Sequence, residues 1–297
     1  MSKTATYTII GATGNIGGRI AAKLLQAGQR VRVPVRDSHK AAALARQGAE
    51  LLVGNLEDVD FVTSALTGAD AAFLMIPPLH GADDLRAWQN KIGKIQVEAL
   101  VRAGVRRVVH LSSVGAQYPN GTGPIAGLYD QEQRLNKLEG VQVVHLRPTF
   151  FLENLHNTTH QLADGFLGGQ LEPEVKLPMI ATADIADVAV AELQSEFSGI
   201  RIRELLGADA YSMRDVAAAV GRALGREIGV VHFAPEDARK ALPTMGISPS
   251  VTEALIEMFG ALNAGRIEMG PRTAENTTPT RLQDFLPALL PATSQVG

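Results

Sequence analysis

Residues 7–18 read Y-T-I-I-G-A-T-G-N-I-G-G, and their reading decides the fold. Tyr7, Thr8, Ile9 and Ile10 are β-branched or aromatic, which suits a short buried strand. Gly11, Gly14 and Gly17 follow at three-residue spacing. Ile20, Ala21, Leu24 and Leu25 then recur at helical spacing. The glycines therefore stand where a strand turns into a helix. Gly11 permits the tight turn, Gly14 lets a diphosphate approach the backbone, and Gly17 lets the helix pack on the sheet. Thr13, Asn15 and Ile16 frame the helix start, whose free N–H groups and positive dipole end suit an anion.

The pattern continues outward from this stretch. Strands are expected at residues 31–35, 50–53, 71–76, 107–111 and 141–146. Helices are expected between them, at 38–47, 58–66, 82–103 and 128–138. Repeated β-α-β order predicts an α/β fold, a doubly wound parallel Rossmann sheet with helices on both faces. Pro34 is awkward in a strand and is expected where pairing runs out. After Pro148 the rhythm breaks. Residues 150–165 read as helical, 184–194 as a helix, 200–206 and 230–233 as strands. Ser212 with Asp215 predicts a capped helix to Leu224, and shorter helices follow at 235–242, 250–262 and 280–286. Residues 1–150 are thus expected to form a dinucleotide-binding domain. Residues 151–297 are expected to form mainly a smaller α+β substrate domain, with some segments returning to the sheet and 287–297 as a loose terminus.

Composition narrows the function. The chain has 297 residues, 45% apolar and 20% charged, with net charge −3. That balance gives no basic footprint for nucleic acid or an acidic membrane. No apolar run approaches a membrane span. The absence of cysteine excludes disulfides, thiolate nucleophiles and thiolate-held metals. A first strand starting by Tyr7 leaves no room for a signal peptide, so a cytoplasmic location is expected.

Ligands of such sheets lie beyond the carboxyl ends of the strands. Arg36 is the first residue past strand two, where a guanidinium suits the 2′-phosphate of NADP. Asp37 beside it would instead favour NAD if it turned to the ribose. Asn55 is placed for the adenine edge, or for an Asx turn, and Leu56 for the ring. Ile76 and Pro77 put apolar surface beside the nicotinamide ribose, and Ser112 reaches the nicotinamide region. His110 and His145 lie inside apolar strands and read as core residues with satisfied hydrogen bonds. His80, His156 and His160 could line a pocket, but no ligand spacing indicates a metal. Phe150 and Phe151 follow strand six, one facing substrate or nicotinamide and one a domain junction.

The glycine spacing is similar to that of short-chain dehydrogenase relatives. Together, G-A-T-G-N-I-G, V-R-D, G-N-L-E-D, I-P-P, V-V-H-L-S-S and L-R-P-T-F-F-L-E-N resemble the NmrA-like group of atypical short-chain dehydrogenases. T-T-P-T-R-L-Q-D-F-L near the end adds to the resemblance. It implies a Rossmann domain, a small C-terminal domain and NADP(H). It also implies one of two roles: a reductase of quinones, dyes or benzylic ethers, or a non-catalytic redox sensor acting through a protein partner. A small-molecule substrate and a monomer or homodimer are expected. The ordinary short-chain signature pairs a tyrosine with a lysine four residues on. Here Tyr129 is followed by Gln133, which can hydrogen-bond but carries no charge. Tyr129 remains the candidate proton donor, with Tyr118 as a second. Phe151 and His80 are the candidate substrate contacts. The loop 118–127 would overhang the nicotinamide, either as a lid ordered by substrate or as a plain connection.

Overall fold

The alternation predicted for the first half is present in a computed structural model that describes residues 4–290. β1 (Thr6–Ile9) leads through the glycine turn into α1 (Asn15–Gln26), and β2 (Arg30–Val35), α2 (Ala42–Arg46), β3 (Glu50–Val53), α3 (Val59–Leu66) and β4 (Ala71–Leu74) follow. Then come α4 (Leu85–Ala103), β5 (Arg107–Leu111), α5 (Ala126–Leu135) and β6 (Gln142–Pro148). The chain next forms β7 (Phe150–Phe151), β8 (Phe166–Gly169), β9 (Leu177–Ile180), α6 (Thr182–Gln194), β10 (Ile200–Leu205) and β11 (Ala210–Tyr211). It ends with α7 (Met213–Leu224), β12 (Gly229–His232), α8 (Pro235–Thr244), α9 (Pro249–Asn263) and α10 (Leu282–Leu289). No described helix is long and apolar enough to cross a membrane.

Seven strands make one sheet in the order β10-β6-β5-β4-β1-β2-β3, and every pairing in it is parallel. The central strands β1, β4, β5 and β6 are buried on both faces, whereas the outermost β3 and β10 are partly exposed. One face carries α1 and α6, closed by Ile20, Leu24, Val33, Val144 and Ile185. The other carries α3, α4 and α5, closed by Ile10, Leu66, Leu100, Leu135 and Val143. Each such side chain contributes roughly 1.5–3 kcal/mol on burial. β1 and β4 are neighbours from which the two halves wind in opposite directions. That reversal opens a crevice at their carboxyl ends, where the glycine turn lies.

Pro34 is next to last in β2, at its carboxyl end as expected, though still opposite Leu52 of β3. Its pairing with β1 has already stopped at Arg32, so the missing N–H faces no ladder on that side. Other expectations need correction. Asp37 caps a 3₁₀ turn at Ser38–Ala41, and α2 proper is only Ala42–Arg46. α4 begins at Leu85, not Ala82, because Asp84 accepts the Ala87 N–H and sets the cap. Residues 150–165 are not an α-helix but β7 followed by 3₁₀ turns over Leu152–Asp164. α10 runs through Pro287 to Leu289, and the rest of the expected loose terminus, 291–297, lies outside the described residues. The capping box of Ser212 and Asp215 is present as expected.

β7, β9 and β11 form a small sheet, and β8 pairs with β12. Leu155, Leu167, Met179, Val216 and Phe285 fill a second core beneath them. α6 and β10 return to the large sheet. The motif T-T-P-T ties the end of the chain to both parts. Thr278 Oγ1 donates to the Leu206 carbonyl at 3.0 Å, and Asp184 in α6 accepts the Thr280 N–H at 3.0 Å and its hydroxyl at 2.7 Å.

Candidate functional site

The glycine turn is built as its spacing predicts. Gly11 has φ +80°, and a Cβ there would lie 2.8 Å from the Met75 sulfur. The Gly14 N–H returns to the Gly11 carbonyl at 3.0 Å, closing the turn. A Cβ on Gly17 would lie 2.4 Å from that carbonyl, so α1 packs on the turn only as glycine. A Cβ on Gly14 would meet only the Gly11 carbonyl, at 3.4 Å. The space beside Gly14 is open to a ligand. Gly14 caps α1 without any side-chain hydrogen bond, leaving the N–H groups of the first turn to an anion. Thr13 and Asn15 are exposed there, whereas the Ile16 side chain faces the core and offers only its backbone.

Arg36 stands exposed just past β2. The Asp37 carboxylate turns away to accept the His39 N–H at 2.9 Å. Asn55 Oδ1 accepts the Glu57 N–H at 3.1 Å, the Asx turn foreseen for it, and the residue is exposed. Leu56 packs partly on the second-face core. Lys91 bonds Glu57 at 2.5 Å and, with a smaller contribution from Arg36, holds its carboxyl below the usual range.

Past β4, Ile76 is buried and Pro77 half-buried. The Trp88 ring N–H donates to the Pro77 carbonyl at 3.2 Å, and Gln96 donates to the Met75 carbonyl at 2.8 Å, so α4 pins this segment. Past β5, Ser112 is 3% exposed and donates its hydroxyl to Glu132 at 2.5 Å. Glu132 also receives Arg147 Nε at 2.9 Å and Nη2 at 2.6 Å. The sequence reading missed Glu132 and Arg147; an arginine inside the otherwise apolar L-R-P strand end was the available signal. His110 and His145 meet Nδ1 to Nδ1 at 3.0 Å, and His145 Nε2 reaches Asn136 at 2.8 Å. Burial holds His110 well below the ordinary histidine range and His145 at about 4, so both rings are neutral. Contrary to expectation the pair is not fully satisfied, because His110 Nε2 is buried without a partner.

Tyr129 and Gln133 lie one turn apart on α5, half-buried and exposed respectively. Tyr118 is half-buried in the preceding loop. Phe151 packs against the core of the large sheet and Phe150 against the second core, so the two rings straddle the junction. His80 is exposed in the loop after β4, where its carbonyl accepts the Ser248 N–H at 2.8 Å. His156 and His160 are exposed on the second unit, His156 with its ring 5.7 Å from that of Phe285. Among the described residues, no three histidine or carboxylate side chains gather as a metal site.

The arrangement is a glycine turn at an uncapped helix start, a cation past β2 and an apolar segment past β4, and relatives share the chain's length. The chain is 28% identical over 251 residues to an NAD(P)H azoreductase of Xenophilus azovorans, covering 84% of this chain and 85% of that one. It is 27% identical over 266 residues to quinone oxidoreductase 2 of Escherichia coli, covering 86% and 88%. In fold it matches the Citrobacter sp. triphenylmethane reductase complexed with NADP(H), with TM-score 0.81 and 17% identity over 96% of this chain and 100% of that one. Residues 3–285 match the NmrA-like family from the first strand to the last helix, and the chain belongs to that family.

Proposed function

We propose that this chain binds NADP(H) across the carboxyl ends of its sheet and reduces a small electron-poor acceptor, a quinone or a conjugated carbonyl. The observation that carries the reading is the pairing of an open space at Gly14 with an exposed Arg36 whose neighbour Asp37 is engaged in a cap. Gly11, Thr13, Asn15 and Ile16 hold the diphosphate through backbone N–H groups, and Gly14, whose own N–H closes the turn, leaves the space for it to approach. Arg36 pairs with the 2′-phosphate. Asn55 and Leu56 receive the adenine. Ile76 and Pro77 form the floor beneath the nicotinamide ribose. Ser112, whose proton is given to Glu132, offers only acceptance to a donor on the nicotinamide side. Gln133 hydrogen-bonds the ribose where a lysine would otherwise stand.

The bound cofactor supplies a hydride from nicotinamide C4, and the acceptor takes up that electron pair with its proton. The second proton reaches the reduced oxygen from water. This suits a quinone, because Gln133 and not a lysine stands four residues after Tyr129. Phe151 and His80 are the side chains assigned to the acceptor. The protein contributes proximity, orientation and exclusion of bulk water.

The experiment is steady-state NADPH oxidation across quinones, enones and imines, with Gly14→Val as the control. Turnover that the variant abolishes supports the reading. Tyr129→Phe should retain most of the rate, and a loss of about a hundredfold in kcat would make Tyr129 a general acid. Gln133 also favours a second reading, a sensor that binds NADP(H) and signals through a protein partner. Tight NADPH binding with no turnover on any acceptor would select it.

A further inference from the structure

Arg86, in the first turn of α4, makes four hydrogen bonds with one guanidinium. Nε and Nη2 clasp the two carboxylate oxygens of Asp130 on α5, at 2.9 and 3.0 Å. Nη1 donates to Asn120 at 2.8 Å and Nη2 to the Pro119 carbonyl at 2.9 Å. The last two partners belong to the loop between β5 and α5. One turn along α4, Gln89 donates to the Pro124 carbonyl of the same loop at 2.8 Å. The far side of the loop is seated on α9, since a Cβ on Gly123 would lie 1.9 Å from the Ala254 carbonyl. The loop is therefore held from two sides by groups of the protein itself. Its partners perturb one another as such a clasp requires: Arg86 lowers the Asp130 carboxyl, and Asp130 raises Arg86.

The place matters. α4 follows β4 and the loop follows β5, so both lie at the carboxyl side of the central strands. Between them and α9 lies a cavity of about 430 Å³ lined by Arg86, Gln89, Asn120, Gly123, Ala126 and Glu257.

We infer that Arg86 is a positioning residue, which fixes the loop 118–127 as an ordered wall at the carboxyl side of β4 and β5, over the side from which the acceptor approaches. The inference rests on the reductase reading. The planar fork reaches Asp130, Asn120 and Pro119 together. A lysine keeps the ion pair to Asp130 but cannot span all three. The acceptor thus meets an ordered wall, and the entropy of loop ordering is not charged against its binding.

The test compares wild type with Arg86→Lys, which keeps the charge pair and the fold, and with Arg86→Gln. Hydrogen exchange of residues 116–127 in the free protein reads the clasp without any substrate. Exchange should quicken in both variants while the sheet strands stay protected. NADPH affinity should stay within about twofold, and acceptor KM should rise about tenfold with a smaller change in kcat. Unchanged loop exchange would overturn the clasp. Faster exchange with unchanged KM would overturn the positioning role. No turnover by wild type on any acceptor would remove the reductase reading and the acceptor role with it, while the exchange result would still decide the clasp.

Discussion

Glu132 grips Arg147 at two points, 2.9 and 2.6 Å, and both side chains are withdrawn from solvent, with 1% and 8% exposed. The pair joins α5 to the end of β6, and through Ser112 to the end of β5. Two charges that deep are tolerable only because each satisfies the other. Glu132→Ala should therefore destabilise the protein by about 3–5 kcal/mol, measured by urea unfolding, because it strands a buried guanidinium. Adding Arg147→Leu should recover much of that loss. A double variant no better than the single would show that the pair acts through packing rather than charge.

The glycines of the turn should separate by function. Gly17→Ala forces a Cβ to 2.4 Å from backbone that cannot move without shifting α1. It should lower the melting temperature. At Gly14 an added Cβ meets only an ordinary contact within the protein, so Gly14→Val should fold and yet lose dinucleotide binding. Calorimetry showing wild-type NADPH affinity in Gly14→Val would remove the turn from the site.

Arg36 should set the choice of cofactor. A hydrogen bond to a charged group is worth roughly 1.5–3 kcal/mol, so Arg36→Ala should weaken NADPH binding on the order of tenfold to a hundredfold. NADH affinity should barely move, and added salt should narrow the difference in the wild type. Equal wild-type affinities for the two cofactors would defeat the assignment.

The histidine pair should make stability fall in acid. Both folded-state values are depressed, His145 to about 4, while the unfolded rings titrate near the ordinary histidine value of 6.5. Above that value both states are neutral and the pair contributes no pH dependence. As pH falls through it, the unfolded state gains protons first and stability is lost, down through about 4. Glu132 favours the charged form of His145, and Arg147 and burial oppose it. Urea midpoints between pH 7 and 4 should therefore fall more steeply in wild type than in a His110→Leu, His145→Leu double variant. Parallel slopes would show that other groups control the acid limb.

The first half of the fold was legible because its signals are local. Three glycines after an apolar strand, apolar runs alternating with capped helices, and a cation just past strand two all lie within short windows. The second unit was less so. F-L-G-G and L-P-M-I are strands of four residues without alternation, carrying glycine or proline, and they exist only because β12 and β7 pair with them. Likewise residues 152–164 have helical spacing but settle as 3₁₀ turns.

By itself, the sequence determined the parallel sheet, the place of the crevice and the glycine cradle, because strand propensity, helix periodicity and glycine's missing Cβ act within a few residues. Only the tertiary structure decided which polar groups meet. Ser112, Glu132 and Arg147 are separated by up to 35 positions, and Arg86 and Asp130 by 44. Nothing in either neighbourhood demands the partner. Burial does for Ser112, Glu132 and Arg147: once the strands and helices close over them, water is gone and each charge must find its counterpart across the fold. Arg86 keeps 42% of its side chain exposed and meets Asp130 because α4 and α5 pack side by side.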